Sequence, residues 1–244
     1  MATMLDRDSP VPLYAQLGDI LRERIASGEW APGSKIPSEN ELNTMYGLSR
    51  MTVRQVLNRL VDEDLLYRVQ GKGTFVAHRK ISTRSPAYLG IREQLEQQGY
   101  ATRTVVLGID VVEPPQSVAE RLDLPVTDRV VRIRRLRFVD DQPISLHESY
   151  IPEQRARDLV TAELSERQLC VVLEEDFGLA MSFIAETLVS VPAPRAEAAQ
   201  LDVSPGAPLL LLEQTISSAD RRPFELARIY FRGDRIRLEF QYER

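Results

Sequence analysis

Ser38 with Glu41 makes a capping-box pair, Gly47 is a helix stop, and Ser49 is a fresh cap immediately behind it. A hydroxyl that accepts from the backbone N–H three residues on, answered by a carboxylate reaching back, marks a helix start. A glycine that tolerates a left-handed turn marks a helix end. Residues 38–62 are therefore predicted to be two short helices joined by a tight turn, the second with its apolar face at Val53, Val56, Leu57, Leu60 and Val61. That is a helix-turn-helix, an arrangement that serves to place one helix in a DNA groove.

The flanking sequence extends the pattern on both sides. Leu13, Leu17, Ile20, Leu21 and Ile25 recur at helical spacing and the run stops at Gly28, which gives a first helix. Behind the third helix, residues 65–69 and 74–77 read as two short strands around Gln70-Gly71-Lys72-Gly73. This is a wing: its glycines allow close backbone approach to phosphate and Lys72 supplies charge. The third helix opens with Ser49, Arg50, Thr52, Arg54 and Gln55, side chains suited to base edges and phosphate oxygens.

Net charge is −5, which opposes indiscriminate attraction to DNA. Between Ser49 and Thr74, however, five basic residues outnumber three acidic ones, and the acidic Asp62, Glu63 and Asp64 cluster far from Arg50 and Arg54. The charge needed for DNA is local.

The runs Pro12-Leu-Tyr-Ala-Gln-Leu, Ile36-Pro-Ser-Glu-Asn-Glu-Leu, Tyr46-Gly-Leu-Ser-Arg-Met-Thr-Val-Arg-Gln and Gln70-Gly-Lys-Gly-Thr-Phe-Val resemble the GntR family of bacterial regulators over residues 12–76. The resemblance implies that Ser49, Arg50, Thr52 and Arg54 on the third helix, with Gly71 and Lys72 on the wing, stand at DNA-contacting positions. Ser38, Gln55, Gln70 and Gly73 complete the candidate DNA-facing set.

The expected organisation is a winged helix-turn-helix over residues 1–77, a polar, basic linker over 78–87 and a second domain over 88–244. In the second domain, strand-like runs at 103–112, 129–139, 143–151, 182–191, 208–218, 223–232 and 235–241 alternate with short helical patterns. Hairpin turns at Asp140-Asp141 and Asp220-Arg221 indicate an antiparallel sheet with helices packed on it, making the chain a two-domain α+β protein. In the strand from 129, Val131, Ile133, Arg135 and Arg137 share a face by alternation. An even-length turn at Asp140-Asp141 would set Ile144, Leu146 and Glu148 on that face too. Two guanidiniums edged by a carboxylate on a half-apolar surface suit a small anion; a strand of exposed charges with a surface salt bridge fits the alternation equally.

Arg135-Leu-Arg, Glu148-Ser-Tyr-Ile-Pro, Leu173-Glu-Glu-Asp-Phe-Gly and Tyr230-Phe-Arg-Gly-Asp-Arg are similar to the effector (UTRA) domain of the HutC branch of that family. The resemblance implies a chorismate-lyase-like fold, a homodimer formed through this effector-binding domain (88–244), and a pocket for a small anionic effector (phosphate, phosphonate, sugar phosphate or carboxylate) bearing Arg135, Arg137, Glu148, Glu225 and Phe231. Relatives that bind amino-sugar phosphates have Ser-Phe at Gly90-Ile91, Ser and Tyr at Gln168 and Cys170, and Tyr at Phe231, so an anion of another kind is expected. The resulting expectation is a cytoplasmic repressor released from a pseudo-palindromic, double-stranded operator by its effector. The alternative is an enzyme of chorismate-lyase-like fold fused to a DNA-binding domain, against which stand the lack of a nucleophile beside a base and of a cofactor loop. Cys170 is the sole cysteine and His78 and His147 lack ligand spacing, so neither metal nor cofactor is expected. No apolar run reaches membrane-spanning length.

Overall fold

The computed structural model describes residues 5–78, 80–84, 90–125 and 127–240. The chain divides between Lys80 and Ile81 into two compact units.

The first unit is three helices and a hairpin: α1 (Leu13–Ala26), α2 (Glu39–Tyr46), α3 (Arg50–Asp62), β1 (Leu66–Val69) and β2 (Gly73–Val76). Ser38 caps α2 through the full capping box, its Oγ accepting from the Glu41 N–H at 3.3 Å while its own N–H donates to Glu41 Oε2 at 2.7 Å. Gly47 ends α2 at φ +63°, in the left-handed region where a Cβ is strained. Ser49 caps α3, its Oγ accepting from the Thr52 N–H at 3.1 Å. The apolar stripes of the helices meet in a core of Leu17, Leu21, Leu42, Val53, Leu57 and Leu60, closed by Leu66 and Val76 of the hairpin. Each such fully buried side chain contributes roughly 1.5–3 kcal/mol. Lys35 adds a single bridge to Phe75, so the hairpin is held from its outer side.

In the second unit six strands form one antiparallel sheet: β4 (Thr102–Val112), β5 (Val130–Val139), β6 (Gln142–Pro152), β7 (Phe183–Pro192), β8 (Pro208–Ser217) and β9 (Pro223–Arg232), in the order β4-β5-β6-β9-β8-β7. Asp140 and Asp141 both have positive φ, 48° and 60°, the two-residue turn whose twist matches paired strands. One face of the sheet is covered by α4 (Ile91–Gln97) and α6 (Leu169–Phe177), in two clusters built on Ile91, Leu95 and Phe231, and on Val131, Ile133, Val172 and Leu173. The other carries α5 (Gln116–Arg121) and α7 (Arg195–Gln200).

Two expectations are corrected here. The segment expected to be a linker over 78–87 contains a strand, β3 (Ile81–Arg84), which pairs in parallel with β10 (Ile236–Glu239) near the far end of the chain. Ile81 and Ile236 bury their side chains in the α4-side core, which is what fixes this pair; Arg79 and residues 85–87 of the expected linker lie outside the described residues. The second correction is one of register. β6 carries a β-bulge at Ile144: Phe138 faces Pro143, whereas Arg137 faces Ser145. One extra residue on one strand reverses which side chains share a face. Arg135 and Arg137 therefore lie beside His147 and Ser145, not beside Leu146 and Glu148.

Candidate functional site

On the first unit, α3 presents Arg50, Arg54 and Gln55 to solvent from its first two turns, with Met51 74% exposed among them. Neither Arg50 nor Arg54 has an ion-pair partner among the described residues, and both stand at the positive end of the helix. The hydroxyls of Ser49 and Thr52 are 2.8 Å apart and hold the cap closed, so they shape the helix end as well as face outward. The acidic end is tied down: Glu63 takes two bonds from Arg22, at 2.8 and 2.9 Å, and one from Arg59 at 3.2 Å. Those guanidiniums hold its carboxyl below the usual range. On the wing, Gln70, Gly71, Lys72 and Gly73 are exposed and the Lys72 N–H closes the turn on the Val69 carbonyl at 3.0 Å. Gly71 and Gly73 have φ of +73° and +128°. A Cβ on Gly73 would lie 2.7 Å from Lys35 Cε, so an exposed lysine that sequence reading passed over sits against the wing. Arg68, counted above among the basic residues, is paired with Glu39 at 3.1 Å.

The second unit contains a cleft of about 90 Å³, open to solvent, on the α4 and α6 face of the sheet. Arg135, Arg137, His147, Ser149 and Glu225 line its floor, and the starts of α4 (Gly90, Ile91) and α6 (Gln168, Leu169, Cys170) form its wall. Arg135 and Arg137 are 5% and 9% exposed, yet the Nε of each and Arg137 Nη1 are buried without a hydrogen-bond partner. A buried donor left unmade costs about 1–3 kcal/mol, more if charged. Burial, reinforced by Arg135, pushes the Arg137 guanidinium down to about 9. Burial lowers Arg135 as well, against the opposing pull of Glu225. Glu225 is itself raised by burial, opposed by a hydrogen bond from Ser149 and by Arg135. Burial and the two arginines hold His147 well below the usual histidine range, so the ring is neutral at pH 7 and hydrogen-bonds Ser145 Oγ at 2.9 Å. Glu225 opposes the charge of Arg135, and both guanidiniums line the cleft, an arrangement that can accept an anion.

Of the residues expected in this pocket, the structure brings Arg135, Arg137 and Glu225 together and leaves two out. Glu148, through the bulge, projects from the opposite face, 3.7 Å from Arg134 and beside Tyr150. Phe231 is fully buried on the same face of the sheet, packed with Ile91 and Leu95 and with its ring edge-on to His147 at 6.2 Å, beside the cleft and not among its lining residues. Gly90, Gln168 and Cys170, where the resembling family carries other residues, do line the cleft. His147, Ser149 and Gln214 are pocket residues that sequence reading did not find. Their signal was present as polar residues in otherwise apolar strands; for His147 and Ser149 it was hidden by the parity change at Ile144, which does not touch Gln214 on β8. Among the described residues no group of three or more His, Cys, Asp or Glu is gathered to hold a metal, and no helix is long and apolar enough to cross a membrane.

Comparison with known proteins matches both units. The family model "Bacterial regulatory proteins, gntR family" matches residues 13–76 and the model "UTRA domain" matches residues 97–237. The chain is 30% identical over 231 residues to the HTH-type transcriptional repressor NagR of Bacillus subtilis, covering 95% of each chain. It is 30% identical over 236 residues to the histidine utilization repressor of Pseudomonas aeruginosa, covering 96% of this chain and 92% of that one. Among solved structures, PhnF from Mycobacterium smegmatis superposes with a TM-score of 0.65 at 23% identity, covering 94% of this chain and 98% of the other, a likeness of fold.

Proposed function

Because the chain belongs to the GntR family of bacterial regulatory proteins, with a UTRA domain behind its helix-turn-helix, we propose that it is a cytoplasmic repressor that holds a pseudo-palindromic operator as a homodimer and releases it when a small anion enters the cleft. It is a DNA-binding transcription regulator; the alternative of an enzyme is not favoured, since relatives aligned over nearly their whole length are themselves transcriptional repressors. Arg50, Arg54 and Gln55 read base edges, Ser49 and Thr52 orient the helix start, and Gly71 with Lys72 grips phosphate from the wing. The observation that carries the regulatory half is the pair Arg135 and Arg137, buried with N–H groups unpartnered and facing an open cleft. A phosphate, phosphonate or carboxylate group supplies the missing acceptor. Anion and DNA then oppose each other reciprocally, each weakening the other by the same factor.

The test uses a duplex selected from a random pool by the wild-type protein. Arg50→Ala and Arg54→Ala are each expected to lose on the order of 1–3 kcal/mol of operator affinity and to relax sequence preference. Lys72→Ala is expected to weaken all duplexes alike and to lower the salt slope by about one. Unchanged affinity and preference in both arginine variants would overturn the assignment of α3 as the reading helix.

A further inference from the structure

The corner of the cleft at Gly90 is built from oxygens that meet no donor of comparable strength. Glu93, in the first turn of α4, has its Oε2 buried without a hydrogen-bond partner. A Cβ placed on Gly90 would collide with that oxygen and lie 2.7 Å from Gln168 Oε1. A carboxylate oxygen and an amide oxygen thus converge on the one spot that the glycine leaves open. A third side chain sets the direction of the amide, for the Cys170 thiol, a weak donor, points at Gln168 Oε1 from 3.4 Å. Neither oxygen can donate to the other. Gly90, Gln168 and Cys170 line the same cleft as Arg135 and Arg137.

We propose that the anion held by Arg135 and Arg137 also carries a protonated amine, whose N–H groups Glu93 and Gln168 receive at the Gly90 corner. The proposal rests on the anion-cleft reading above and names the class of ligand within it, a zwitterion with its two charges joined by a short chain. Three observations select that class. First, the unmet groups are of opposite kinds: Arg137 Nε and Nη1 are donors without acceptors, and Glu93 Oε2 is an acceptor without a donor. They are not bonded to each other, so a ligand with an acceptor at one end and a donor at the other satisfies both. Second, Glu225 is already engaged, by a hydrogen bond from Ser149 and by Arg135. Glu93 acts on Arg137 only through its charge, opposing the lowering that burial and Arg135 impose on that guanidinium. Third, the two guanidiniums stand against two carboxyl groups, Glu93 and Glu225, with His147 neutral at pH 7. A ligand of balanced charge suits that set, whereas a plain dianion sets its second charge against Glu93. An ammonium at the corner supplies up to three donors to oxygens that have none as strong.

The test is calorimetric titration of the full chain with phosphoethanolamine and 3-aminopropyl phosphate, each against the alkyl phosphate of the same length, propyl and butyl phosphate, with inorganic phosphate as reference. In the wild type at least one amine is expected to bind roughly 10- to 100-fold more tightly than its alkyl counterpart, the gain of a charge-assisted hydrogen bond. Glu93→Gln is expected to lose that preference and to bind the alkyl phosphates more tightly than the wild type does, since a charge facing Arg137 is gone. Should Glu93→Gln fail to fold, Gly90→Ala replaces it: its methyl fills the corner, and the preference is expected to vanish. Amines that bind no more tightly than alkyl phosphates in the wild type overturn the zwitterion while leaving the anion cleft standing. A preference that survives in Glu93→Gln, or in Gly90→Ala where that variant replaces it, overturns the corner as its source. A wild type that binds none of the five phosphates overturns the anion cleft and the zwitterion together.

Discussion

A guanidinium buried without an anion is a local liability, and Arg137 carries it openly, with two nitrogens unpartnered and its proton affinity lowered to about 9 by burial and by Arg135. Functional sites commonly hold such costs until a ligand relieves them. Arg137→Met, which keeps the apolar stem and removes the charge, is therefore expected to stabilise the ligand-free protein by about 1–3 kcal/mol in urea melts. The same variant should lose the rise in midpoint that inorganic phosphate gives the wild type. A destabilised variant that still responds to phosphate would contradict the role given to Arg137. His147, beside Arg135 on the neighbouring strand, makes a second prediction. Its folded-state affinity for a proton lies well below the ordinary 6.5 because of burial and the two arginines. Below pH 6.5 the unfolded chain thus binds a proton that the folded chain refuses, and stability falls with pH from there downward, by up to ~1.4 kcal/mol per unit. Glu225, raised by burial, acts in the opposite sense, losing stability as pH rises above 4.5. The difference in slope between wild type and His147→Asn below pH 6.5 isolates the histidine, and parallel slopes would show that it titrates normally.

The elements differ in how openly the sequence announces them. The helix-turn-helix is spelled by local chemistry: Ser38, Glu41, Gly47 and Ser49 each act within one turn of themselves, so reading them needs no knowledge of the rest of the fold. Ser38→Ala, which opens the capping box, is expected to cost about 1 kcal/mol in thermal unfolding of the first unit; an unchanged midpoint would mean that α2 is held by packing alone. The strands of the second unit were legible from alternation, and the hairpin at Asp140-Asp141 from its turn residues. Two features were not. The bulge at Ile144 leaves the hydrophobic pattern on either side intact and changes only its parity, so Glu148 was read onto the pocket face and His147 off it. The strand Ile81–Arg84 has one strongly apolar residue, and its partner lies about 150 residues away in Ile236–Glu239, so nothing nearby in sequence distinguishes it from linker. What failed to be legible in both cases was how strands pair, not residue character.

At the scale of the molecule, two units with separate cores are joined where β2 ends at Val76 and β3 begins at Ile81. Because Ile81–Arg84 is stitched to Ile236–Glu239, only four residues separate the end of β2 from the start of β3, and four residues reach at most about 14 Å. Inserting a run of Gly-Ser residues after Ala77 is expected to lower affinity for the two-half-site operator in gel-shift titrations, while affinity for a single half-site stays as it was. An unchanged two-site affinity would mean that the heads are placed by something other than this join. The parallel pair β3 and β10 is thus a belay as well as a strand pair: in the proposed homodimer it shortens the leash on each head. On a short leash, once one head has landed, the other meets its half-site at a high effective concentration, and that concentration falls roughly as the −3/2 power of any added length. Two weak grips become one strong one, and a ligand that repositions the anchor points of those leashes can undo the strong grip without weakening either head's own hold on its bases.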